Sequence, residues 1–68
     1  MISPEEKAKK LFDYYYFFMR NNKDRRYLSI QCALIAVNEI IEALHEHHWQ
    51  NRLIIDYYEE VKQEIEQL

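Results

Sequence analysis

Apolar and polar positions alternate along this chain with a helical period, and the period is interrupted twice. Ala8, Leu11, Phe12, Tyr15, Phe18 and Met19 recur at three- and four-residue steps and mark one face of a first helix over about residues 4–21. Tyr14, Tyr16 and Phe17 widen that face beyond what one core contact covers. Its start is marked by Ser3-Pro4-Glu5-Glu6: the Ser3 hydroxyl is placed to accept from the Glu6 amide, and the Glu6 carboxylate to reach back. Pro4 suits the first helical position, where its missing N–H has no partner to lose.

Asn21-Asn22-Lys23-Asp24 makes the first break. Either asparagine tolerates the left-handed conformation that ends many helices, and Asp24 is a candidate cap for the next one. In a second helix over about 25–46 the chain is apolar nearly all round from about Arg26 to His45, with Gln31, Asn38, Glu42 and His45 as a narrow polar stripe, so this helix is expected to be covered on most sides. Ser29, Ala36 and Ala43 fall seven apart, with Ala33 close by, which lets another helix approach that line. Ser29, Ala33, Ala36, Ile40 and Ala43 are therefore the expected contact with a second copy. His47 to Asn51 makes the second break, with Gln50 or Asn51 as cap. In a third helix over about 50–67, Ile54, Tyr58, Val61, Ile65 and Leu68 repeat at steps of four, three, four and three, while Asp56, Glu59, Lys62, Gln63 and Glu66 point to water. The acidic tail opposes the helix dipole, so its last turn is expected to fray.

The pattern predicts an all-α chain, a three-helix hairpin or bundle forming a single helical domain over residues 1–68. Composition supports it, because glycine is absent and Pro4 is the only proline, which removes the cheapest hairpin turns. A core of this size contributes only a few kcal/mol of net stability. Cys32 is the single cysteine, so neither an internal disulfide nor a thiolate zinc cage can supplement it within one chain. A homo-oligomer, dimer or higher, is the expected supplement. The sequence opens without the basic and apolar runs of a secretory signal. Its longest apolar stretch, Cys32 to Val37, falls short of the roughly 20 residues that span a bilayer. The expected location is cytoplasmic, with no membrane partner.

Charge adds a polarity. Residues 1–26 carry seven Lys/Arg against four Asp/Glu, residues 27–51 carry three Glu and no Lys/Arg, and residues 52–68 carry two against five. That distribution argues against duplex nucleic acid, which wants a broad basic face, but leaves room for one local anion site. Tyr14, Phe17, Arg20, Lys23, Arg25, Arg26 and Tyr27 pair aromatic faces with cations around the first turn, which is what stacking on a base and holding a phosphate require. The plainer account of the same residues is core packing and a basic helix end that suits the dipole. Glu42 and His45 have the Glu-x-x-His spacing of dimetal sites in helical bundles, with His48 nearby, but the matching pair from a second helix is missing. They are weak candidates, and no metal or other cofactor is expected. Trp49 reads most simply as a plug at the corner between the second and third helices. Cys32 lies in an apolar helix with nothing near it in sequence to lower its pKa, and no nucleophile, acid-base pair or phosphate loop is recognisable. The chain is expected to bind and not to catalyse.

Pro4-Glu5-Glu6-Lys7-Ala8 at the start, Cys32-Ala33-Leu34-Ile35-Ala36-Val37-Asn38-Glu39-Ile40-Ile41 in the middle and Glu60-Val61-Lys62-Gln63-Glu64-Ile65 near the end together resemble a family of short uncharacterised helical proteins from bacteriophages and prophages of Bacteroidetes-type bacteria. The likeness touches all three helices and is most specific in its middle block, while 13–30 and 46–57 share no common pattern. It transfers no activity and no functional residue. It implies a phage origin, hence a small protein acting in the host cytoplasm as an inhibitor of antiviral defence. Such a protein would sequester a nucleotide second messenger or mask a host defence protein. A sponge needs aromatic and basic residues to enclose a pocket, whereas a masking protein needs an exposed aromatic or acidic patch. A scaffolding oligomer without a small ligand and a metal-binding bundle are the alternative expectations.

Overall fold

The computed structural model of the chain describes residues 2–47 and 52–68. Three helices, α1 (Pro4–Phe18), α2 (Arg25–His47) and α3 (Arg52–Glu66), pack against one another in every pairing, and no strand occurs among the described residues. The all-α bundle expected from the periodicity is the fold.

Local chemistry accounts for the helix ends. Ser3 is extended (φ −64°, ψ 156°) and its Oγ accepts from the Glu6 amide at 3.2 Å, with Pro4 in the first turn. Only half of the reciprocal cap forms, since the Glu6 carboxylate makes no return bond among the described contacts. At the other end α1 stops three residues before the expected Asn21. The Met19 amide is shared between the carbonyls of Tyr15 and Tyr16 at 3.1 and 3.3 Å, and no described residue takes a positive φ. The turn is held by backbone bonds, including the Asn22 amide to the Met19 carbonyl at 2.9 Å, and by one side chain, instead of a left-handed residue. Asn22 Oδ1 accepts from the Asp24 amide at 2.8 Å, and the Asn22 carbonyl accepts from the Arg25 amide at 3.2 Å. Asn22, and not Asp24, thus supplies the side-chain bond at the start of α2, while Asp24 contributes its carbonyl to the Leu28 amide. The last turn of α3 tightens: the Gln67 and Leu68 amides bond three residues back, to Glu64 and Ile65. Gln50, Asn51, Trp49 and His48, singled out in the sequence, lie outside the described residues.

The core is thin. Ala8 and Phe12 of α1, Ala33, Val37 and Ile41 of α2, and Val61 and Ile65 of α3 are its buried apolar residues, with Leu11, Tyr15, Ile30, Leu34, Tyr57 and Tyr58 partly buried around them. Ser29 is fully buried and satisfied, its hydroxyl donating to the Arg25 carbonyl at 2.6 Å. Ser29, Ala33, Val37 and Ile41 follow one another at steps of four, so α2 faces the other two helices with a single stripe and not with most of its circumference. Two assignments change as a result. Ser29 and Ala33, expected at a contact with a second copy, are already covered by the chain's own helices, because close approach of α1 and α3 uses their small side chains. Phe18, expected in the buried face of α1, stands 68% exposed, since α1 turns only its Ala8/Phe12 side inward.

Within Arg25–Glu46 an 18-residue window has a mean hydropathy of 1.4, which passes a length-and-composition test for a membrane-crossing helix that core helices pass as well. The buried stripe of α2 is occupied by α1 and α3.

Candidate functional site

The seven aromatic and basic residues marked in the sequence separate into three groups in space. Arg25 is anchored to the end of α1 through one of its five N–H donors. Its Nε donates to the Tyr16 carbonyl at 2.7 Å, and its guanidinium lies over the Tyr16 ring, 3.6 Å from the centroid. Tyr16 in turn stacks on Phe12 at 5.1 Å. The cation therefore closes the C-terminus of α1 from the first residue of α2: it gives the Tyr16 carbonyl, which otherwise has only a share of the Met19 amide at 3.3 Å, a shorter second bond, and it stacks on the same residue's ring. Sequence reasoning saw the charge and missed its partner, which sits nine positions away across a turn.

Lys23, Arg26 and Tyr27 line an open depression of about 390 Å³ with Asp24 and Ile30. Tyr27 is exposed, while the Arg26 guanidinium lies 5.7 Å from the Phe12 centroid. The depression is shallow, one carboxylate offsets part of its positive charge, and its walls enclose nothing. A second pocket, of about 440 Å³, lies between α2 and α3 and is lined by His45, Arg52, Ile55, Asp56 and Glu59. Of its lining residues, the sequence offered only His45 as a candidate ligand. Glu42 and His45 are exposed, and among the described residues no three His, Cys, Asp or Glu side chains assemble as metal donors; His48 lies outside them.

The third group is a surface. Tyr14 and Phe17 are each 61% exposed and Phe18 is 68% exposed. Tyr14 lies 5.1 Å from Phe18, and Phe17 meets Phe18 edge-on at 5.7 Å. Arg20 sits 5.6 Å from the Phe17 centroid. Three neighbouring aromatic rings thus lie in water on the side of α1 away from its core residues. These side chains add little to the chain's own core, so burial within the chain does not explain them. Contiguous exposed apolar patches with a polar rim mark contact surfaces, and aromatic and arginine side chains dominate the energy of such contacts.

The N-terminal segment is tied to α3 at a distance. The Tyr57 hydroxyl donates to the Ile2 carbonyl at 2.7 Å. Partial burial, then the neighbouring Tyr58 and Glu6, push the Tyr57 hydroxyl above its ordinary value of 10.0, so it stays a neutral donor.

No protein-family model matches the chain, and no curated protein or solved structure shows significant similarity to it.

Proposed function

We propose that this chain is a non-enzymatic interaction protein whose working surface is the exposed Tyr14-Phe17-Phe18 face of α1. The observation that carries the proposal is the exposure of three neighbouring aromatic rings on a helix that already has a separate buried face. The sequence resemblance to short phage proteins supplies the setting, a phage-encoded inhibitor of bacterial antiviral defence acting in the host cytoplasm. Between the two modes open to such a protein, masking a host protein is better supported than sequestering a nucleotide. Arg25 is anchored on Tyr16, and the depression of about 390 Å³ beside Lys23, Arg26 and Tyr27 is open to water and would not surround a ligand.

The test is expression in bacteria that carry an active defence system, scored by phage plating. Wild type restores plaques; Phe17→Ser with Phe18→Ser abolishes the effect while leaving the helical circular dichroism unchanged. Arg26→Glu with Tyr27→Ala keeps the effect. Loss in the second variant and retention in the first would reverse the assignment in favour of nucleotide sequestration.

A further inference from the structure

The α1 face continues beyond its rings. Lys7, Lys10, Tyr14 and Phe17 follow one another at steps of three, four and three, the spacing of a helix seam. On α2 a second such seam lies outside the buried stripe: Leu28 and Cys32 are half-exposed, Ile35 is 62% exposed, and Glu39 and Glu42 are exposed, at steps of four, three, four and three. Lys7, Lys10, Glu39 and Glu42 have no ion-pair partner among the described residues; Asp13, beside the α1 seam, is already paired with Lys9 at 3.8 Å.

The two seams are complementary in one direction. With the helices antiparallel and Lys7 set opposite Glu42, Lys10 falls opposite Glu39, Tyr14 opposite Ile35 and Phe17 opposite Cys32, so charge meets opposite charge and apolar meets apolar along about 15 Å of helix. The parallel arrangement sets the lysines on Leu28 and Cys32 and Phe17 on Glu39. Two α1 seams would bring four lysines together if parallel and set Lys7 on Phe17 and Lys10 on Tyr14 if antiparallel, with no carboxylate in the seam either way, and two antiparallel α2 seams would lay Glu39 and Glu42 on Cys32 and Leu28. Like charges and desolvated charges select against those pairings more strongly than exposed ion pairs favour the matched one.

We infer that the exposed face of α1 docks antiparallel on the Leu28-Cys32-Ile35-Glu39-Glu42 face of α2 in a second copy of this chain. The inference rests on the reading of α1 as the working surface and names its occupant in the free protein. The contact joins two different faces, so copies add head to tail and close into a ring or extend as a chain. A host protein bound at α1 would have to displace that neighbour.

Sedimentation equilibrium of wild type and two charge-reversed variants tests it. Lys7→Glu with Lys10→Glu carries acid on both seams, and Glu39→Lys with Glu42→Lys carries base on both. Wild type should associate with rising concentration, and each variant alone should associate roughly tenfold or more weakly, by the size of a few surface pairs turned from attraction to repulsion. An equimolar mixture of the two should recover wild-type association, because every contact in it pairs unlike charges. Wild type that remains a single chain at high concentration, variants that associate as wild type does, or a mixture that stays dissociated each overturn the inference. If wild type is a single chain while Phe17→Ser with Phe18→Ser still loses its effect on host defence, α1 takes a foreign protein: the inference fails and the functional reading stands. If the charge-swap pattern is obtained but the aromatic variant keeps its effect on defence, the functional reading fails and the self-contact stands.

Discussion

Helices α1 and α3 are the same length, 15 residues each, and both carry a heptad-like apolar seam, yet they dispose of their hydrophobic residues in opposite ways. In α3 the seam holding Val61 and Ile65 goes into the core, the other side is largely acidic and wet, and a single large apolar residue, Leu53 in the first turn, stands in water at 85% exposure. In α1 a buried pair, Ala8 and Phe12, faces the core while Tyr14, Phe17 and Phe18 stay in water. A helix whose apolar residues are accounted for by the fold needs no other explanation. A helix with a second apolar face carries residues that folding does not require, and that surplus is what the proposed contact surface rests on.

The contrast can be broken first in α3. Ile65→Ala removes a fully buried side chain from a thin core and should cost about 2–5 kcal/mol, enough to leave a domain of this size largely unfolded in a urea titration followed by circular dichroism. Arg25→Ala is expected to cost about 1–2 kcal/mol, since it strips a hydrogen bond and a stacked cation from the end of α1, whereas Arg26→Ala should be near neutral in the same titration. Ser3→Ala should remove about 1 kcal/mol by uncapping α1.

Tyr57→Phe should cost about 0.5–1 kcal/mol with the loss of the bond to Ile2. It also carries a pH signature. The folded Tyr57 hydroxyl titrates above its unfolded value, so the unfolded chain loses the proton first as pH rises. Stability from this group is therefore complete below about pH 10 and declines as pH climbs from there through the folded value. Wild type should lose stability over that range more steeply than Tyr57→Phe. The smallest effect belongs to the exposed face: Phe18→Ser should change the urea midpoint by no more than about 0.5 kcal/mol equivalent. A large loss there would mean that Phe18 is covered in solution and the contrast with α3 sharpened into a permanent contact.

Much of the fold was legible because helices announce themselves locally. The Ser3-Pro4 start and the Val61/Ile65 seam were read from spacing alone and stand in the structure where the spacing put them. The end of α1 was not, because residues 19 to 21 have no strong breaker and the stop is decided by a shared Met19 amide and by Arg25 reaching back to Tyr16. The site was half legible. Composition marked Tyr14, Phe17 and Arg20 but placed them in one cluster with Arg25, and marked Ser29 and Ala33 as a contact between copies.

The sequence by itself determined three helices, their order and the absence of tight-turn chemistry, since these follow from period, capping and composition over a few residues at a time. Only the tertiary structure decided which arc of each helix is inside. An apolar residue favours burial against any surface, its own chain's or another's, and one helix's pattern does not say which. Packing of α1 and α3 on the Ser29-Ala33-Val37-Ile41 stripe left Phe17, Phe18 and Ile35 without cover, and made Arg25 part of the frame.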